Sequence, residues 1–238
     1  PAAGGHAEKS LYRRALDGVR FPIQSGAGPS GARPEHLREA LFGRQRSGVN
    51  RLLRAIEELG QRGERGSLPD SARWILDSRV AFLRKPGTET PRPIRVGEFW
   101  RRVVGKRLAA AQRGPLQKLF LAHRQCGVGL PGGADTLVHL RRCLEQALSQ
   151  AQGARALVLL DLDLRNAFPS LEWPAIEAAV REFAPDLGPW TDWCHAGPAQ
   201  VMLPCGDWVT CDRGAEQGDP LGPAYCGLTL LRCAMAGR

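Results

Sequence analysis

The sequence lacks any apolar run that approaches the ~18 residues of a membrane-spanning helix. Its opening residues, PAAGGHAEKS, also lack the basic segment and following apolar segment of a secretory signal peptide. Both absences predict an intracellular protein, nuclear or cytoplasmic, without a membrane partner. The chain starts at Pro1 and ends inside a helical pattern, LTLLRCAMAGR, so we expect both ends to be cuts in a longer protein.

Cysteine pairs at metal-ligand spacing are also missing. The seven cysteines are odd in number and include no C-x-x-C pair. Cys194 and His195 are adjacent, but no second pair of ligands accompanies them at zinc spacing. The sequence therefore favours neither a disulfide framework nor a zinc site. It contains no visible internal repeat.

The positive charge is concentrated in the first half of the chain. The whole sequence carries 33 Lys and Arg against 24 Asp and Glu, and 29 of these cations are arginine. Residues 1–120 hold 24 cations against 11 acids, whereas residues 121–238 hold 9 against 13. Arginine-rich surfaces neutralise phosphates and release counterions, so the first half favours a nucleic acid or a nucleoside triphosphate as partner. Arginines on solvated helix faces are the simpler alternative.

Local patterns predict a mixed α/β (α+β) fold with a short sheet covered by helices on one side. Residues 1–32, rich in Gly, Ala, Pro and Ser, indicate a loop that ends where Pro34 opens a helix. Apolar residues at helical spacing predict a second helix from Val49 to Gly60. The other predicted elements are two strands within 81–96, helices near 97–112, 134–150 and 173–183, a hairpin over 199–212 and a terminal helix from about Leu221.

The strongest strand signal is ALVLLDLDL at residues 156–164, an apolar run that fits a buried strand. Alternation along a strand places Asp161 and Asp163 on one face near its end. Mg²⁺ prefers one or two carboxylates together with phosphate oxygens and water, so the two acids are candidate ligands. Three alternatives are solvated strand-end acids, the D-x-D of a metal-dependent glycosyltransferase and an EF-hand. Arg165 and Phe168 argue against the EF-hand loop.

Five segments, in this order, resemble the reverse transcriptases of non-LTR retrotransposons. They are GPSGARPEHLREAL (28–41), RPIRVGEFWRRVVGKRLAA (92–110), QCGVGLPGGADTLVHLRR (125–142), LLDLDLRNAFPSL (159–171) and RGAEQGDPLGPAY (213–225). The match runs through nearly the whole chain, and its last two segments are the most specific. A glycosyltransferase would explain neither RGAEQGDPLGP nor the basic first half.

The resemblance implies the fingers and partial palm of a right-hand polymerase. Residues 1–150 correspond to the fingers with their connection to the palm, and residues 151–238 to a partial palm. The activity implied is RNA-directed DNA polymerisation, with an RNA template, a DNA primer and dNTPs as partners and Mg²⁺ as cofactor.

The resemblance also assigns individual residues. In D-x-x-N-A-F, Asp163 matches the metal-binding aspartate and the carbonyl of Leu164 a second ligand, with Asp161 as a further candidate. Phe168 matches an aromatic steric gate, whose ring occupies the space of a ribose 2′-OH and so excludes ribonucleotides. An ordinary core phenylalanine is the alternative for this position.

Other residues resemble those that bind the incoming dNTP. Lys85 and Arg92 correspond to cations of the fingers that contact the triphosphate, and Arg95 is a rival for Arg92. Either arginine could instead be a solvated hairpin charge. Gln217 and Gly218 resemble the pair beside the nucleotide and its template base, where glycine permits close backbone approach.

The sequence departs from the family pattern because it lacks the acids that would complete a two-metal site. Polymerisation of this kind uses two Mg²⁺ ions, and the family supplies the additional acids in an aromatic-x-Asp-Asp hairpin. No Asp or Glu follows Asp219, and the only adjacent acidic pair is Glu57-Glu58. We therefore expect a fragment that is inactive by itself but belongs to an active polymerase. A nucleic-acid-binding remnant without catalysis is the alternative.

Overall fold

The computed structural model describes residues 3–22, 24–43, 48–84, 87, 91–150, 162–164, 166–216 and 218–236. Within these ranges the chain forms helices and one four-stranded mixed sheet, which confirms the α/β class. None of the described helices is long and apolar enough to cross a membrane.

The helices are α1 (Ala3–Leu16), α2 (Pro34–Phe42), α3 (Val49–Glu64), α4 (Phe99–Ala122), α5 (Gly133–Gln150), α6 (Trp173–Phe183), α7 (Gly188–His195) and α8 (Gly222–Ala236). The strands are β1 (Ser78–Leu83), β2 (Arg92–Gly97), β3 (Ala199–Met202) and β4 (Trp208–Cys211). Two 3-10 helices cover Asp70–Leu76 and Pro185–Leu187.

The sheet combines the two predicted hairpins in the order β2-β1-β3-β4. Strands β1 and β2 are antiparallel, and so are β3 and β4, as both predicted turns require. The central pair is parallel and places Ser78 of β1 opposite Val201 of β3. One sheet thus connects residues on both sides of position 150, and the division into fingers and palm stays a prediction.

Two clusters of buried side chains hold the fold together. The larger cluster lies among α4, α6, α7 and α8, and its fully buried members include Phe120, Ile176 and Trp190. The smaller one joins α1, α2 and α3 to the start of α4 through Leu53 and Phe99. Each fully buried large apolar side chain contributes about 1.5–3 kcal/mol relative to exposure. Both clusters include residues of α4, so this helix is shared between them.

Three predicted boundaries are wrong. The loop predicted for residues 1–32 contains α1, because Leu11 and Ala15, one turn apart, are buried in the smaller cluster. Helix α3 continues past Gly60, where the absence of a side chain leaves room for Arg107 of α4. Helix α4 continues through Pro115 because Leu116 and Phe120 are buried in the larger cluster.

The strand predicted for residues 156–164 falls largely outside the described residues. Its last three residues, 162–164, are described and have no regular secondary structure. The prediction is therefore wrong for this end of the segment. Leu162 and Leu164 are both exposed, and neither pairs with any strand in the described ranges.

Candidate functional site

The two most specific motif segments dock against each other. Phe168 accepts a backbone hydrogen bond from the N–H of Ala215 at 2.9 Å, and Leu171 accepts one from Gly214 at 2.6 Å. An isolated β-bridge joins Glu172 to the residue before Gly214. The segment that follows Asp163 is thus held beside the loop that leads to α8.

Local residue preferences explain this docking. Asn166 has a φ of 52°, a left-handed conformation that asparagine tolerates better than most residues, and its carbonyl accepts the N–H of Ser170 at 3.0 Å. Gly214 has a φ of 82°, and a Cβ there would lie 2.8 Å from the carbonyl oxygen of Pro169. The close approach of the two segments therefore requires glycine at position 214.

The ring of Phe168 lies beside the start of α8. It is half-buried against the larger cluster, and its Cε1 atom is 3.6 Å from where a Cβ of Gly222 would stand. The side chain is thus both a packing residue and a partly exposed ring next to the 213–222 loop.

A buried ion cluster anchors this loop to the basic half of the chain. Arg101 of α4 donates to Asp219 at 2.8 Å and 3.1 Å and to Glu216 at 3.0 Å. The side chains of both acids are only 3% exposed. Burial opposes the charge of Arg101, but Glu216 and Asp219 outweigh it and raise the pKa of Arg101 above its usual value. The other oxygen of Asp219 accepts the N–H of Leu221 at 2.8 Å, just before α8.

Gly218 lies between the two anchored acids and is exposed. A Cβ at this position would be 3.3 Å from the carbonyl oxygen of Arg95 in β2, so the loop backs closely onto the edge strand of the sheet. Gln217 lies outside the described residues. Its neighbour Glu216 is bonded to Arg95 and Arg101, and its neighbour Gly218 lies against β2. Gly218 is therefore an exposed residue between two buried acids.

Arg95 is engaged inside the protein. Its guanidinium donates to Glu216 at 2.8 Å and to the hydroxyl of Ser78 at 3.2 Å, and it contacts the thiol of Cys211 at 3.1 Å. Arg92 begins β2 and pairs through its backbone with Leu83. Its side chain lies outside the described part of the structure.

The predicted metal ligands are only partly described. Asp163 and Leu164 are exposed, and Asp161 lies outside the described residues, as does Lys85. Within the described ranges, no group of three or more His, Cys, Asp and Glu side chains is arranged to hold a metal ion. Magnesium binding at Asp163 therefore stays a prediction.

An aromatic cluster packs against the docked segments. Trp173 donates from its indole to the carbonyl of Gly214 at 3.2 Å and stacks on His195 with ring centroids 4.4 Å apart. Burial, reinforced by the positive charge of Arg101, lowers the pKa of His195 to about 3. The neutral imidazole lies 3.3 Å from Glu177 without forming a hydrogen bond, so the two are not an ion pair. Burial also raises the pKa of Cys194 to about 12.

Sequence reasoning missed the anchoring residues Arg101, Glu216 and Asp219. The two acids flank Gln217-Gly218 in RGAEQGDPLGP, and their position beside a motif was the available signal. The partner arginine is 118 residues away from Asp219, and no local pattern indicates that pairing.

No family model matches the chain. The chain is 26% identical over 176 residues to the retrovirus-related Pol polyprotein from type-1 retrotransposable element R2 of Nasonia vitripennis. The alignment covers 68% of this chain but only 16% of the length of that protein. The similarity supports a retroelement-related origin for the chain.

Proposed function

We propose that this chain forms the fingers and part of the palm of an RNA-directed DNA polymerase of the non-LTR retrotransposon type. The observation that carries the proposal is the convergence of three motif segments that are far apart in the sequence. Residues 166–173 dock on residues 213–215, and Gly218 lies against β2. The similarity to the R2 Pol polyprotein supports the same assignment.

Asp163 is the proposed metal ligand of the polymerase. Its exposed carboxylate forms no ion pair with any described residue, and with the carbonyl of Leu164 it offers the oxygen atoms that Mg²⁺ prefers. Asp161 is a second candidate ligand. A bound Mg²⁺ would stabilise the negative charge that develops on the triphosphate.

Five residues are proposed to recognise the dNTP. Phe168, held on one side by the core, would exclude a ribose 2′-OH, and Gly218 would permit close approach of the nucleotide beside Gln217. Arg92 is favoured over Arg95 as a phosphate ligand, because Arg95 is already bonded to Glu216. Lys85 would add a second positive charge at the triphosphate.

Primer extension tests the proposal, in a chain lengthened by the coding sequence downstream of Arg238. We expect DNA synthesis from dNTPs on an RNA template, abolished by Asp163→Ala and retained at a measurable level by Asp161→Ala. Phe168→Ala should admit ribonucleotides with less discrimination. If Asp163→Ala and Asp161→Ala lose DNA synthesis to the same extent, Asp163 is not the principal metal ligand. If the lengthened protein synthesises no DNA at all, the result argues against a polymerase.

A nucleic-acid-binding remnant without catalysis is the second candidate. The observation that favours it is the engagement of the acids: Glu57 pairs with Arg14 and Glu58 with Arg62, both on the surface of the fingers-like half. Both carboxylates thus have arginine partners, and neither belongs to a described group of acids arranged to hold a metal ion. Template binding without synthesis in the lengthened protein would identify the remnant.

A further inference from the structure

Helix α3 carries a basic stripe that follows one side of the helix. With about 100° between successive residues, Arg51, Arg54, Arg62 and Arg65 fall within a sector of about 80°, Arg65 directly following the last turn. All four side chains are exposed. At 1.5 Å per residue the stripe is about 21 Å long, enough to contact several nucleotides of an extended strand.

Most of this stripe is free to bind an anion. Within the described part of the chain, Arg51, Arg54 and Arg65 form no ion pair. Arg62 pairs with Glu58 at 2.7 Å, but both side chains are more than half exposed, and such pairs contribute little to stability. The stripe therefore has a net charge of +3 even when Glu58 is counted.

An apolar groove borders the stripe. Leu52, Ala55, Ile56 and Leu59 occupy the adjoining sector of α3 and line a cavity of about 300 Å³. Trp74 of the first 3-10 helix lines the same cavity. The lining contains almost no polar surface.

A second cavity shares part of the lining of the groove, and both are lined in part by aromatic side chains. The second cavity, of about 170 Å³, extends toward α2, and Leu52 and Trp100 line both. Trp74 is 46% exposed, so part of its indole faces solvent. Single-strand-binding proteins combine these two features, a positive track for the backbone and exposed aromatic rings on which bases stack.

We propose that this surface, the α3 groove with its arginine rim, binds single-stranded nucleic acid. The bases contact Trp74 and the apolar floor, and the phosphates contact Arg51, Arg54 and Arg65. The inference rests on the proposed function, which supplies nucleic acid as the ligand. It adds a contact surface whose residues lie outside the Phe168 and Gly218 segments. RNA and DNA share this chemistry. Charge complementarity favours a polyanion, and the flat aromatic wall favours bases over an acidic peptide.

The test measures binding of fluorescein-labelled oligouridine and oligodeoxyuridine strands of about 12 nucleotides by fluorescence anisotropy. We expect Trp74→Ala to weaken binding about 5- to 150-fold, the loss of one base-stacking contact, with part of the affinity retained in Trp74→Phe. The double variant Arg51→Gln/Arg54→Gln should reduce the slope of log affinity against log salt by about 1.4. Comparison of the two strands shows whether RNA or DNA is preferred.

The charge-matched control is Arg113→Gln/Lys118→Gln, which removes two exposed cations from α4. We expect its affinity and salt slope to stay at the wild-type values. Two results would overturn the proposal that the α3 groove binds nucleic acid, while leaving the proposed function intact. One is equal weakening of binding by the control, and the other is unchanged binding in both Trp74→Ala and the α3 double variant. Displacement of the strand by polyglutamate at equal charge, together with an inert Trp74→Ala, would identify an acidic-peptide surface instead. A wild-type chain that binds no nucleic acid would overturn the proposed function as well.

Discussion

At the scale of single residues, Arg101 has the largest predicted effect on stability. Replacing it with Gln leaves Asp219 buried without its cation and Glu216 with Arg95 as its remaining partner, and breaking a buried pair in this way costs about 3–5 kcal/mol. Urea unfolding of the variant measures this loss. The control is Arg62→Gln, which breaks an exposed pair with Glu58 and should cost no more than about 1 kcal/mol. Equal losses would contradict the anchoring role.

His195 should make the stability depend on pH on the acid side. Its folded pKa, lowered to about 3 by burial and by Arg101, lies below the ordinary value of 6.5. The unfolded chain therefore binds the proton first as pH falls, so this contribution to stability is complete above about 6.5 and decreases toward pH 3. The slope is at most about 1.4 kcal/mol per pH unit.

The pH dependence of unfolding in His195→Gln checks this expectation. The variant should unfold with a smaller decrease in free energy between pH 6.5 and 4 than the wild type. A matched control is His123→Gln, at the exposed end of α4. The same acid-side slope in the wild type and in His195→Gln would show that the histidine is not responsible.

Individual residues also show what the sequence could predict. Phe168 and Gly218 were identified because each belongs to a short motif, and both lie in the docked segments. The ion cluster was missed because its partners are joined only by the fold. Residue spacing alone did not decide whether Arg92 or Arg95 is the triphosphate-binding cation, because that choice depends on the direction of the side chains in β2.

At the scale of elements, the docking of two loops depends on Gly214. Gly214→Ala should destabilise the protein both through its φ of 82° and through collision with Pro169. Gly31→Ala is a close control, because Gly31 has a φ of 76° but nothing within 4 Å of its added Cβ. Both variants carry the left-handed strain of about 1–2 kcal/mol, and only Gly214→Ala carries the collision. Equal unfolding free energies in urea would contradict the close docking.

Elements with a clear apolar period were predicted well. Helices α2 and α6 and both hairpins lie where the patterns placed them, because turn residues and periodicity are local properties. Helix α1 was missed because its Gly- and Ala-rich composition is typical of a loop, and its contacts in the smaller cluster are tertiary. The length of α4 was underestimated for the same reason, since burial of Phe120 overrides the local effect of Pro115.

At the scale of the whole molecule, the charge asymmetry predicts salt-dependent binding of a template-primer. Residues 1–120 hold 24 cations against 11 acids, and each phosphate contact decreases log affinity by about 0.7–0.9 per unit of log salt. We expect binding by this 238-residue chain to weaken steeply between low and moderate salt. Anisotropy titrations at several salt concentrations measure the slope. An affinity that does not change with salt would contradict the electrostatic prediction.

The distribution of acids predicts that the 238-residue chain by itself does not synthesise DNA. Glu216 and Asp219, two described acids of the loop before α8, are bonded to Arg101, and no acid follows Asp219 in the chain. Asp163 would therefore hold at most part of a two-metal site. An incomplete metal site loses several kcal/mol of transition-state stabilisation. Because each ~1.4 kcal/mol decreases the rate tenfold, DNA synthesis should fall below detection. Primer extension with Mg²⁺ and dNTPs measures it, with the lengthened protein as control, and extension by the 238-residue chain would contradict this account of the metal site.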